Sequence, residues 1–133
     1  MITGKVIYGV LNADTAVKAA VSTKIYPHIA PQGVVFPVIT FRTLQMLPSP
    51  SKNNQSLVDL YEVEINVYDK DYTNACTLHD KVRDALHLYK GTVNTVKVQH
   101  IVFESSNDGY VEDANVHFVQ STYSMRIQTK YST

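Results

Sequence analysis

Apolar positions recur along this chain with two different periods, and the switches between them mark its elements. Ile2, Val6, Ile7, Val10 and Leu11 return at three- and four-residue steps, so a first helix is expected over roughly 2–12. Asn12 and Asp14 interrupt it. Asp14 suits the N-cap of a second short helix that buries Ala16, Val17, Ala20 and Val21. Asp71 suits the same place before a helix over 72–89, with Asn74 at N3. Ala75, Leu78, Val82, Ala85, Leu86 and Tyr89 are its apolar stripe, and Gly91 ends it.

Period two takes over elsewhere. The run "VITFRTLQM", 38–46, is rich in β-branched and aromatic residues, as strands are. In "LVDLYEVEINVYD", Tyr61, Val63, Ile65 and Val67 point one way and Glu62, Glu64 and Asn66 the other. Two further strands are expected at 95–104 and 116–131, joined through "SSNDG". Between the first two lies a polar loop, "LPSPSKNNQS", 47–56. The expected fold is α+β: a mostly antiparallel sheet of about four main strands, with helices packed on one face and one domain over 1–133.

Two passages do not fit a simple strand or helix. "TKIYPHIAPQGVVFPVITF", 23–41, carries Pro27, Pro31 and Pro37, which exclude helix and bias the preceding residues toward extended geometry. "IYP" can form a short edge strand, and "APQG" a turn with Gly33 at positive φ. In the strand at 95–104, strict alternation puts Val96, Val98 and Val102 on one face and Ile101 and Phe103 on the other. Val58 and Leu60 likewise fall opposite Tyr61 and Val63. A sheet covered on one side only should be more polar on its other side. Either another part of the chain or another subunit covers that second face.

Composition narrows the function classes. Twelve basic and twelve acidic residues cancel, which argues against a protein that wraps nucleic acid. The lone Cys76 cannot form an internal disulfide and suits a reducing compartment. Lys5 interrupts the N-terminal apolar residues, so no signal peptide is expected, and no run approaches the ~20 apolar residues of a membrane span. Nine tyrosines suit a protein interface, although tyrosine also simply favours strands.

Candidate chemistry is sparse. Glu62 and Glu64 lie on one strand face near the spacing that glycosidases use, but a solvent-facing pair is the ordinary outcome. Cys76 and His79 stand one helical turn apart. That arrangement reads as a buried thiol beside a surface imidazole, not as a metal site or a nucleophile and base. There is no HExxH, GxSxG or glycine-rich phosphate loop. No catalytic, cofactor-binding or metal residue is assigned, and no enzyme is expected.

The order of features is more telling than any single residue. "LNADTAVKAAV" is followed by "KIYPHIAPQGVVFPVITF", then "VEINVYDKDYTNACTLHDKVRDAL", then "FESSNDGYVEDANVHFVQSTYSMRIQTKY". This order resembles the tail completion, or tail terminator, family of long-tailed bacteriophages and prophages over nearly the whole chain. Tyr68 stands where that family commonly has tryptophan, and the loop at 47–56 is long. The resemblance implies a ring of copies, typically six, on the head-proximal end of the tail tube. Such a ring stops tube polymerisation and offers the surface to which the head docks. The implied partners are further copies of the chain, the tail tube protein and a head completion or connector protein. Genome DNA would pass through the lumen without sequence-specific binding, and no membrane is involved. The implied location is the tail–neck junction of the virion, after assembly in the host cytoplasm.

Three interface residues are expected in the proline-rich passage: Tyr26, Ile29 and Phe36, presented to a neighbouring subunit unless the passage is a stiff connector closing the core's edge. Lys52, Asn53 and Asn54 are the expected contacts of the loop with tube or lumen. Two alternatives remain open: another neck or head-completion connector, or a small-ligand-binding α+β domain that uses the second sheet face as a pocket.

Overall fold

The computed structural model describes residues 2–49 and 58–128. It has three helices, α1 (Ile2–Ala13), α2 (Thr15–Val21) and α3 (Tyr72–Leu86). Six strands accompany them: β1 (Ile25–Pro27), β2 (Val38–Ser49), β3 (Val58–Asp69), β4 (Gly91–Val93), β5 (Val96–Val111) and β6 (Val116–Gln128). They form one sheet in the order β1-β2-β3-β6-β5-β4. Every neighbouring pair is antiparallel except β1 with β2. The α+β class holds, with two short edge strands added to the four expected ones.

Local signals account for most boundaries. The Asp14 side chain accepts from the Val17 backbone N–H at 3.0 Å and caps α2 as expected. Asp71 occupies the N-cap of α3 in extended geometry. Val6, Ile7 and Leu11 of α1, Val17 and Val21 of α2, and Leu78, Val82 and Leu86 of α3 are all essentially buried. They pack into one core with Val63, Ile65 and Val67 of β3 and Tyr123, Met125 and Ile127 of β6.

Three expectations are corrected. Helix α3 stops at Leu86, not 89: Leu88 turns to a φ of 64° and donates to the Ile101 carbonyl at 2.7 Å, while Ile101 donates to Tyr89 at 3.1 Å. Pairing with β5 displaces the last helical turn, and Gly91 opens β4 instead of closing a helix. Strand β2 runs on through Ser49, because β3 pairs with it as far as Val58. Strand β5 does not turn at "SSNDG" but carries it along the ladder opposite Thr122 to Phe118. The turn comes at 112–115, where Asn115 has a φ of 54°.

The doubly apolar strand also resolves. A bulge between Val98 and His100 shifts the phase of β5, so Val96 and Val98 before it share the core with Ile101 and Phe103 after it. Only Val102 points to the other face, opposite Ser124.

The proline-rich passage has a topological task. Because β1 and β2 are parallel neighbours, the chain must return along the sheet between them. Residues 28–37 make that return without a helix. His28 donates to the Phe41 carbonyl at 2.8 Å, Val34 to Pro31 at 3.2 Å, and Gly33 takes a φ of 82° as expected of the turn. Their path crosses the face opposite the helices, where Val38 and Val116 are 0% and 1% exposed. Part of the second face is therefore covered by the chain itself.

Candidate interaction surfaces

The middle of the second face is polar and self-contained. Arg42 of β2, Glu64 and Asn66 of β3, and Gln120 of β6 meet there because the register sets Arg42 and Gln120 beside the β3 carboxylate. Arg42 Nε donates to Glu64 Oε2 at 3.0 Å and Asn66 Nδ2 to the same oxygen at 3.2 Å, while Gln120 Nε2 donates to Oε1. Burial pushes the Glu64 carboxyl up. The hydrogen bonds from Arg42, Asn66 and Gln120, with the Arg42 charge, outweigh it and hold the group below its ordinary value. Glu64 is thus not the solvent-facing residue that alternation suggests; two flanking strands enclose it. Held ionised by three donors, it is no general acid, and the Glu62–Glu64 pair offers no glycosidase chemistry.

Beside this patch the 28–37 return covers a cleft of about 570 Å³. Ile29, Val34 and Phe36 form its roof, and Val38, Tyr68 and Val116 its floor. Lys24 Nζ ties the roof down by donating to the Val35 carbonyl at 2.7 Å. Of the three expected interface residues, Ile29 and Phe36 line this cleft together, Ile29 being 79% exposed and Phe36 half-buried. Tyr26 does not line it. It stands half-buried in β1, level with Thr40. Lys52, Asn53 and Asn54 lie outside the described residues.

The Cys76–His79 pair is reversed from expectation. His79 is the buried member, 8% exposed, and Cys76 is half-buried. The imidazole lies 6.0 Å from the Phe103 ring, which Arg83 covers from 4.1 Å. Burial, helped by the Arg83 charge and opposed by Asp80, lowers the His79 pKa and keeps the ring neutral. No cluster able to hold a metal occurs among the described residues.

A second aromatic group escaped sequence reasoning. Tyr72 donates to Asp108 at 2.7 Å, and that bond pushes the phenol up to about 12. His117 packs edge-on against both Tyr72 and Tyr110, at 5.4 and 4.9 Å. The group forms only because β5 continues past 104, which the polar "SSNDG" concealed.

Among the described residues these surfaces therefore hold a carboxylate already satisfied by three donors and one apolar cleft, with no grouping set up for catalysis. The model of the family "Tail completion protein gp17" matches residues 5–128. The chain belongs to this family. It is a structural protein of bacteriophage tails, and membership of a structural family implies a non-enzyme. Among solved structures it is similar to a chain of a gene transfer agent, "Virion of native gene transfer agent (GTA) particle". The two are 17% identical over 92% of each chain, with a TM-score of 0.76, so they share the fold. No curated protein matches.

Proposed function

We propose that this tail completion protein forms a ring, of six copies, that caps the head-proximal end of the tail tube. The ring stops tube polymerisation and provides the docking surface for the head. Family membership over residues 5–128 carries this reading. Its partners are further copies of the chain, the tube protein and a head-side connector, with genome DNA passing through the lumen without sequence-specific binding. A net charge of zero supports a pore that does not grip phosphates. Tyr26, Ile29 and Phe36, of which Ile29 is the most exposed, are proposed to meet a neighbouring subunit, and the stretch with Lys52, Asn53 and Asn54 to meet the tube or the lumen. The 570 Å³ cleft is the observation that favours a small-ligand reading instead.

The test is complementation in a phage or prophage lacking this gene. Loss of the chain is expected to give overlong tails that do not join heads, restored by supplying it. Tails of normal length that still fail to join heads would point to the connector alternative.

A further inference from the structure

We propose, resting on the ring reading, that neighbouring copies join edge to edge. The free half of β5 in one copy pairs with the free half of β2 in the next, so that their sheets run on as one.

Each outer long strand is covered over one end only. β1 pairs with 39–41 of β2, and among the described residues nothing pairs with its outer edge from Thr43 to Ser49. β4 pairs with 96–98 of β5, Leu88 and Tyr89 hold Ile101, and the Phe103 N–H donates to His87 Nδ1 at 3.1 Å; from 104 to Val111 the outer edge has no partner among the described residues. Exposed edges of such length draw in other strands unless they are guarded. Before Pro48, the β2 stretch from Thr43 carries no charge, and it exposes Leu44, Met46 and Leu47 by 39%, 42% and 47%.

The two edges complement each other in shape. β1 sits level with Val119 of β6, through the Ile39–Val67 and Val67–Val119 pairs, and β4 sits level with Ile127, eight residues further along. The covered ends are therefore opposite, and each molecule carries two matching steps. A copy displaced along the strands seats its free β2 against free β5, with β4 of the first copy beyond one end and β1 of the second beyond the other. Directions agree as well: β2 and β5 run oppositely within one copy, so the joint is antiparallel.

The displacement has the size that closure needs. Clearing β1 of the second copy past Val111 sets Leu47 against Asn107; within one copy Leu47 is level with Arg126 and Asn107 with Gln120, six residues along β6. At ~3.3 Å per residue that is roughly 20 Å, across four strand spacings of about 4.8 Å each. The resulting tilt of about 45° is at the upper end of what closes a sheet into a barrel. Bulges in β2 and β5 supply the bend.

The experiment uses the full chain with Cys76→Ser and two new cysteines, Leu47→Cys and Asn107→Cys. Both lie on the face away from the helices, and within one chain β3 and β6 separate them. Oxidation, or a short bis-maleimide to span a one-residue offset, is expected to give a ladder of covalent oligomers up to the ring. Each single-cysteine variant should give dimers at most. Amide hydrogen exchange on the assembled native chain should show new protection at 43–47 and 105–110. Rings seen in negative stain with no ladder and no new protection overturn the edge joint and leave the ring reading standing. No ring at all, even with tube ends present, overturns both.

Discussion

Glu64 sits on the strand face that alternation assigns to water, yet it is 8% exposed and takes three side-chain donors. Its partners arrive from β2 and β6, 22 and 56 residues away in sequence, so nothing local announces them. Glu64→Ala leaves Asn66 and Gln120 without their acceptor and should cost about 1–3 kcal/mol of stability, read from urea unfolding. Because its folded pKa is depressed, the stability it adds is present above its ordinary value of 4.5 and is lost as pH falls through the folded value. His79 acts in a higher window. The unfolded chain takes up a proton at the ordinary 6.5, while the buried ring resists it until lower pH. Stability should therefore decline as pH drops below 6.5, and urea midpoints for His79→Gln should show a shallower decline. The His79 pocket was illegible because helix periodicity alone does not say that Phe103 and Arg83 close over that side of α3.

At the scale of elements, the sequence was most legible where signals are local. Asp14, Asp71 and the alternation in β3 and β6 each placed an element to within a few residues. It was least legible where a long partner overrode local chemistry. β6 recruits the polar "SSNDG" into a ladder, β5 unwinds the end of α3, and one bulge gives β5 apolar residues of both parities on a single face. The prolines at 27, 31 and 37 announced an ordered passage but not that it bridges two parallel strands. Gly9 marks another such contact, between α1 and β4. A Cβ there would lie 2.3 Å from Val93 Cγ1 and 3.0 Å from Asn94 Nδ2. Despite the better helix propensity of alanine, Gly9→Ala should destabilise by about 1–2 kcal/mol because overlap in a packed contact outweighs it. Thermal unfolding of Gly9→Ala with and without Val93→Ala checks this, and the double variant should recover most of the loss.

For the whole molecule, the order of motifs carried the family, while no motif carried the interface. Contacts to another copy leave no periodicity of their own. In the proposed ring they correspond to what the described residues leave unpaired: the outer edges of β2 and β5, the exposed Leu44, Met46 and Leu47, and Ile29 over the cleft. A closed head-to-tail ring requires two different, complementary patches on each copy, the part proposed for these two edges. The most direct test is the mass of the purified chain by light scattering across a concentration series, imaged in negative stain with and without purified tail tubes. The account predicts rings of uniform size, free at high concentration or seated on one end of each tube. A monomer at every concentration, with both tube ends bare, would contradict it.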